Sequence, residues 1–118
     1  MVKTEEQQFK NCIMQIYNDK CIISDRTYNL EVVHIKPSFL CNNYERYDVG
    51  NVLLLNCCVR RFFNDFFISI DPSTSKIKVK KTCKDKSLHT QNDKIIDNLS
   101  KSTLKYLEFH YNKFLESD

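Results

Sequence analysis

The sequence predicts an α+β fold, and three observations carry that prediction. Residues 4–19 place apolar side chains at spacings of three and four, which indicates an N-terminal helix. The stretch 30–35 and the segments FISID and KIKVK are rich in β-branched residues, which indicates strands. Helical spacing returns from residue 92 onward. The predicted order is therefore helix, strands, long loop, helix, hairpin and helices.

The first third of the chain predicts one helix and two short strands. The apolar stripe of the helix consists of Phe9, Cys12, Ile13, Ile16 and Tyr17. Thr4 precedes two glutamates, so its hydroxyl is suited to cap the first turn. Two β-branched runs, 21–23 and 30–35, are separated by the turn-like cluster SDRTYN, and each predicts a strand.

The rest of the chain predicts a loop, a helix, a hairpin and a helical tail. Residues 37–50 are polar and aromatic and end on Gly50, the one glycine of the sequence, which is typical of a surface loop. The apolar run 52–55 returns to the core, and 57–66 shows helical spacing. FISID and KIKVK alternate around DPSTS and predict a β-hairpin. Two helices are predicted after residue 92, with Ser102 as cap of the second.

Length and composition limit the classes of protein that the motifs can indicate. A chain of 118 residues with 42% hydrophobic and 12% aromatic residues fits one domain, 1–118, with a buried core. One glycine and two prolines disfavour glycine-rich phosphate loops and the nucleotide-binding enzymes that use them. A formal charge of +3 permits a nucleic-acid partner without requiring one.

The cysteines predict free or buried thiols rather than disulfides or a zinc site. They are Cys12, Cys21, Cys41, Cys57, Cys58 and Cys83. None forms a C-x-x-C pair, so a structural zinc has weak support. The N-terminal sequence MVKTEEQQFK is charged and no apolar stretch follows it, which predicts an intracellular protein of the cytoplasm or nucleus. No apolar run approaches the length of a membrane span, so no membrane partner is expected.

A series of short motifs runs from residue 21 to residue 80. In order, the motifs are CIISD, LEVVHIKP, NVLLL, RRFFNDFFISID and KIKV. The series resembles the HNH nuclease family, in the branch of restriction-type endonucleases that read L-E-A-A-H-I-x-P, N-G-L-L-L and H-x-L-F-D-x-G-x-I-S-I-D. The segments FKNCIMQIYNDKC and YLEFHYNKF resemble the leading and closing helices of that branch. The resemblance therefore covers nearly the whole chain.

The resemblance implies a ββα-metal core, in which two antiparallel strands and a helix hold one divalent cation (Mg²⁺, Mn²⁺, Ni²⁺ or Zn²⁺) against a scissile phosphate. His34 matches the family's general base, and an imidazole suits that task because it titrates near neutral pH. Asn51 matches the family asparagine, whose amide braces the loop and helps to orient that histidine. Without the motif, a histidine at the end of an apolar strand is more often a hydrogen-bonded core residue than a catalyst.

The chain departs from the family pattern where the metal would be bound. Arg60 stands at the position of a metal-binding histidine, and a protonated guanidinium has no lone pair to donate. Asn64 stands at the position of an aspartate, and the neighbouring Asp65 is the substitute ligand that the sequence offers. Phe66 replaces a family glycine. Glu31 matches a family acidic position, but strand alternation predicts that it lies on the face opposite the histidine.

Basic residues offer an alternative to the cation. Arg60 and Arg61 can hold a phosphate bidentately in place of a metal, an arrangement that binds a nucleic-acid backbone but hydrolyses it poorly. A further basic row consists of Lys76, Lys78, Lys80 and Lys81. Such a row can follow a phosphate backbone, but it is also typical of a solvated strand edge that lysines protect from aggregation.

Two functions from different classes follow from these residues. The first is a degenerate HNH-like scaffold, weakly active or inactive, that binds nucleic acid, with DNA as the expected partner, or a protein partner, and that does not require a metal for binding. The second is an active, divalent-metal-dependent DNA endonuclease, with His34 as general base and Asn51 as the residue that orients it. The chemistry of Arg60 favours the first.

Overall fold

The computed structural model describes residues 4–117, and their helices and strands form a mixed α+β fold, as predicted. The elements are α1 (Glu5–Ile16), β1 (Leu30–His34), α2 (Asn43–Arg46), β2 (Val52–Asn56), α3 (Cys57–Asn64), β3 (Ile68–Asp71), β4 (Lys76–Val79), α4 (Lys86–His89) and α5 (Lys101–Glu116). Strands β1 and β2 form one antiparallel sheet, and β3 and β4 form another. Short 3₁₀ turns at Ser38–Leu40 and Val49–Asn51 lie on either side of α2.

Helix α1 confirms the predicted N-terminal helix and its cap. The Thr4 hydroxyl accepts a hydrogen bond at 3.2 Å from an amide of the first turn, which satisfies one of the free donors there. Ile13 is fully buried against β2, but Ile16 is 52% exposed, so the buried stripe is narrower than predicted. The Tyr17 hydroxyl donates to the Val52 carbonyl at 2.8 Å and ties the end of the helix to β2.

Strands β1 and β2 pair over their full lengths, from Leu30 opposite Asn56 to His34 opposite Val52. Every residue of β2 is buried, which confirms that the apolar run returns to the core. The strand is covered on both faces, where continuous apolar runs are typical. Helix α1 covers one face, and α3, which follows β2 directly, covers the other. The Asn56 side chain accepts from the Cys58 amide at 3.0 Å and so caps α3 at the point where the strand ends.

The second sheet confirms the predicted hairpin, with Ile68 opposite Val79 and Asp71 opposite Lys76. Helix α5 packs across β3. In the turn between α3 and β3, Phe66 has a φ of 62°, in the left-handed region that favours glycine.

Residues 21–23 form a turn, so the strand predicted there is wrong. The Cys21 amide donates to the Arg26 carbonyl at 2.8 Å, and the Asp25 amide donates back to Cys21 at 2.9 Å. These local bonds, with Asp25 at a φ of 62°, curl the chain before it can form a ladder. One amide, that of Ile22, reaches the Leu54 carbonyl of β2, at 3.0 Å.

The helical tail differs from the prediction in two ways. Residues 92–99 are not helical, because Asp93 and Asn98 take left-handed φ values of 70° and 66° and interrupt the segment. Helix α5 begins after Ser100, whose hydroxyl accepts from the Thr103 amide at 3.1 Å, so Ser102 lies inside the first turn and is not the cap. The short helix α4 was not predicted.

The cysteines are free thiols, as predicted, and Cys21, Cys41 and Cys83 are buried. Burial raises the pKa of the Cys83 thiol, which keeps that side chain protonated and apolar in character. Among residues 4–117, no helix is both long enough and apolar enough to cross a bilayer.

Candidate functional site

A cleft of about 410 Å³ opens where the end of β1, the residues after it, helix α3 and helix α5 meet. Three predicted site residues, His34, Arg60 and Asn64, line this cleft. The pairing of β1 with β2, and the start of α3 immediately after β2, bring them together from distant parts of the sequence.

The His34 imidazole is held by the loop that follows β1. Its Nε2 lies 2.7 Å from the carbonyl oxygen of Arg46, and because a carbonyl only accepts, Nε2 carries the proton and donates. In the neutral ring Nδ1 then keeps its lone pair, and Nδ1 has no hydrogen-bond partner within residues 4–117. That nitrogen is available to accept a proton or a hydrogen bond from a bound molecule.

Asn51 lies beneath the same loop and is fully buried. Its Oδ1 accepts from the Lys36 amide at 2.9 Å, and its Nδ2 donates to the Glu45 carbonyl at 3.0 Å. One side chain therefore ties the two ends of the loop together. Glu45 directly precedes Arg46, whose carbonyl holds His34, so Asn51 acts on that imidazole through the backbone rather than by contact.

Further polar contacts stiffen the loop. Lys36 Nζ lies 2.7 Å from Glu45 Oε2, and this hydrogen bond holds the pKa of the Glu45 carboxyl below its usual range. Asn42 and Glu45 form a reciprocal capping box on α2. The Arg46 guanidinium donates to the Ser38 carbonyl at 3.3 Å. The carbonyl that anchors the imidazole therefore belongs to a loop with its own network of hydrogen bonds.

Arg60 reaches the cleft from α3 and pairs with Glu31 on β1. Its Nε lies 2.8 Å from Glu31 Oε2, an oxygen shielded from solvent that receives no directed hydrogen bond, so the contact is an ion pair. Glu31 itself does not line the cleft, in keeping with strand alternation. Neither Nη nitrogen of Arg60 donates a hydrogen bond within residues 4–117. A guanidinium held at Nε with both Nη groups open is suited to bidentate contact with a phosphate.

Two other predicted site residues, Arg61 on α3 and Asp65 just after it, lie outside the cleft. Asn64 ends α3 and lines the cleft, whereas Asp65, the C-terminal cap of the helix, is exposed and is not part of the lining. Arg61 is also exposed and does not line the cleft. Of the two arginines predicted to contact nucleic acid, Arg60 is therefore the one that shares a cavity with His34.

The lysine row lies on β4 and just after it, and none of its members lines the cleft. Lys78 forms an ion pair with Asp93. Lys80 donates to the carbonyl and the hydroxyl of Ser117 near the C-terminal end of α5. Two of the four lysines, Lys78 and Lys80, are therefore paired within the protein. This agrees with the alternative interpretation, in which the lysines protect a solvated strand edge.

His110 also lines the cleft, a placement that the sequence did not predict, but both of its nitrogens are engaged. Nε2 donates to the Phe63 carbonyl at 2.8 Å, and Nδ1 accepts from the Ser69 hydroxyl at 2.6 Å. The ring stacks on Phe63 with centroids 3.6 Å apart, and burial lowers the pKa of His110 to about 4. His110 is therefore neutral near pH 7 and acts as part of the cleft's inner wall. Its spacing from Leu107 and Phe114 on α5 is the signal of this buried position.

Phe39 is a second cleft residue that the sequence did not single out. It lies on the 3₁₀ turn Ser38–Leu40 and is 82% exposed, so it stands at the opening of the cleft. Phe66 and Phe109, both partly buried, line the cavity further in. The cleft therefore combines aromatic rings with polar groups, among which Arg60 is the charged one.

The residues of the cleft do not fit a resident divalent cation. Arg60 brings a positive charge, and the nitrogens of His110 are both engaged, which leaves His34 Nδ1, the Asn64 side-chain carbonyl and the Ser38 hydroxyl as neutral donors. No carboxylate lines the cleft. Within residues 4–117, no three His, Cys, Asp or Glu side chains are placed to share an ion. Divalent cations in such sites depend on carboxylate and imidazole ligands, and this donor set supplies too few.

Comparison with known protein families finds no match for this chain, and comparison with curated proteins finds none either. The cleft and the sequence pattern around it are therefore the basis on which a function is argued. Their chemistry favours an anionic ligand, because the charged group at the cleft is a guanidinium.

Proposed function

We propose that the protein is a degenerate HNH-like scaffold that binds nucleic acid in its cleft and has weak or no nuclease activity. The observation that carries the proposal is the placement of Arg60, which lines the same cleft as His34 and pairs with Glu31. In the HNH pattern, a metal-binding histidine stands at this position. A guanidinium holds a phosphate by charge and paired hydrogen bonds, but it does not generate a hydroxide nucleophile as a metal does. Such a cleft binds a phosphate and hydrolyses it poorly.

Three local features support the scaffold. The order of β1, β2 and α3 is strand, strand, helix, with the strands antiparallel. Asn51 braces the loop whose carbonyl anchors His34. Phe66 has a left-handed φ at the position where the family pattern has glycine. The backbone at this position therefore keeps a conformation that glycine favours, although the residue has changed.

The proposal is tested by measuring DNA binding of Arg60→Ala against the matched control Arg61→Ala, an exposed arginine on the same helix. We expect Arg60→Ala to weaken binding of a fluorescent oligonucleotide about tenfold or more, because a charged hydrogen-bonded contact contributes ~1.5–3 kcal/mol. Arg61→Ala should have a much smaller effect, and the affinity of the wild type should fall as salt rises. No binding at low salt, or equal effects of the two variants, would contradict the proposal and favour a protein partner.

A second candidate, an active divalent-metal-dependent DNA endonuclease, has one observation in its favour. His34 is anchored at Nε2 and keeps a lone pair on Nδ1, as a general base requires. Plasmid DNA incubated with Mg²⁺, Mn²⁺, Ni²⁺ or Zn²⁺, with EDTA and His34→Ala as controls, separates the two functions. The degenerate scaffold predicts no cleavage above the His34→Ala background. Metal-dependent cleavage that this variant loses would establish the endonuclease.

A further inference from the structure

The opening of the cleft carries an aromatic ring that has no role in the core. Phe39 is 82% exposed, which makes it the most exposed large hydrophobic residue among residues 4–117. It is nevertheless presented by a stiffened segment, since the Leu40 amide donates to the Pro37 carbonyl at 2.9 Å and the Cys41 amide to the Ser38 carbonyl at 3.1 Å. The ring is thus held out to solvent on a structured loop at a cleft, the kind of position from which loop residues often contact ligands.

The ligand chemistry follows from the rest of the cleft. A volume of about 410 Å³ lies within the range of sites for one small molecule, which is roughly 300–1,000 Å³. Its charged group, Arg60, has both Nη nitrogens without hydrogen bonds in the described chain, and no carboxylate lines the cavity. A molecule that has both an anionic group and a flat apolar group would match the guanidinium and the aromatic rings that line the cleft.

We propose that the cleft takes an unpaired nucleotide, whose base stacks on Phe39 while Arg60 holds its phosphate. This inference rests on the proposed nucleic-acid function and specifies the substrate class, single-stranded rather than duplex DNA. In a duplex the base faces are covered by their neighbours, so a duplex offers Arg60 a phosphate but offers Phe39 nothing to stack on. In a single strand every base has an accessible face, which is why aromatic rings recur in proteins that bind single strands.

The test compares a single-stranded oligonucleotide, the same sequence as a duplex, and a single strand with abasic sites. Phe39→Ala should weaken binding of the single strand about fivefold to hundredfold, the usual contribution of one stacked base, and should leave duplex binding unchanged. Phe39→Trp should retain binding, whereas Phe39→Leu should not, because leucine is apolar but has no face for stacking. The abasic strand keeps the charge and loses the base, so Phe39→Ala should not affect it.

Tyr44 provides the matched control, since it is 76% exposed on the same loop but does not line the cleft. Tyr44→Ala should bind every oligonucleotide as the wild type does. The inference is overturned if the two alanine variants lose equal affinity, if Phe39→Leu binds like the wild type, or if the duplex is preferred.

The failure of this inference is distinguishable from the failure of the proposed function. If duplex and single strand both bind in an Arg60-dependent way and Phe39→Ala changes neither affinity, the stacking role is wrong. The proposed nucleic-acid binding would then still hold. Absence of binding to all three oligonucleotides would overturn both. Because Phe39 is exposed, its variants should unfold at the wild-type temperature, and that measurement shows that any loss of binding is local.

Discussion

His34 and His110 line the same cleft, and their hydrogen bonds give them different chemistry. His34 has one engaged nitrogen, held by the Arg46 carbonyl, and one nitrogen without a partner in the described chain. His110 has a carbonyl at Nε2 and a hydroxyl at Nδ1, and it is stacked on Phe63. A group with a free lone pair can exchange a proton with a ligand, whereas one with both nitrogens satisfied in the core contributes to stability.

The buried His110 predicts a pH dependence of stability. Its pKa is lowered to about 4 in the folded state, below the ~6.5 of an unfolded chain, so protons bind preferentially to the unfolded state. The stabilisation is complete above about pH 6.5 and is lost as the pH falls towards 4, at most ~1.4 kcal/mol per pH unit. Urea denaturation at several pH values between 7 and 4 measures this slope.

The control for that prediction is His110→Gln. Glutamine can donate to the Phe63 carbonyl and accept from the Ser69 hydroxyl, but it does not titrate. The variant should be less stable at pH 7, because it loses the stacked ring, and its stability should depend less steeply on pH. A variant with the full wild-type slope between pH 6.5 and 4 would show that other groups cause the acid sensitivity.

At the scale of the elements, the one glycine of the sequence is explained by the close approach of a helix. Gly50 does not have a positive φ, so no turn conformation demands it. A Cβ at this position would lie 2.2 Å from Ser102 Oγ and 2.7 Å from Ser102 Cβ, in the first turn of α5. The glycine therefore lets α5 pack against the 3₁₀ turn that leads into β2, beside the buried Asn51.

Gly50→Ala should destabilise the protein by about 1–3 kcal/mol, the usual cost of overpacking, because the new methyl group meets both the Cβ and the hydroxyl of Ser102. Adding Ser102→Gly should recover much of that loss, since it removes both atoms of the clash. Thermal unfolding of the two single variants and the double variant gives the coupling energy. Strictly additive effects would show that α5 does not make this approach in solution.

At the scale of the whole molecule, the cleft exists because three distant segments converge. The end of β1 contributes His34, helix α3 contributes Arg60 and Asn64, and α5 contributes His110. If these segments converge as they do in an HNH scaffold, the backbone positions that would carry metal ligands are still in place, and only the side chains at those positions differ.

Arg60→His combined with Asn64→Asp should therefore create affinity for a divalent cation, because the pair restores an imidazole and a carboxylate beside His34. The expected result is a rise in unfolding temperature when Ni²⁺ or Zn²⁺ is added, since a ligand that binds the folded state at about 100 times its Kd stabilises it by ~2.7 kcal/mol. The control is Arg61→His with Asn64→Asp, which puts the imidazole outside the cleft. Equal responses of both variants, or none, would count against the scaffold.

Local sequence determined most of the elements of this protein. Thr4 before two glutamates capped a helix, the apolar run 52–55 returned to the core, and the alternation around DPSTS formed a hairpin. These predictions succeeded because caps, periodicity and turns depend on neighbours in the chain. The strand predicted at 21–23 and the helix predicted at 92–99 were wrong. Residues with left-handed φ values lie within or beside these segments and interrupt short apolar runs, which carry little periodic signal.

The residues at the candidate site could be selected from the motif, but their surroundings were decided by the tertiary structure. The motif singled out His34, Asn51, Arg60 and Asn64. Only the fold showed that Glu31 holds Arg60, that His110 forms a buried neutral wall and that Phe39 stands at the cleft opening. The physical reason is that a hydrogen bond between Ser69 and His110, or an ion pair between β1 and α3, depends on which elements pack together, and no local pattern in the chain encodes that packing.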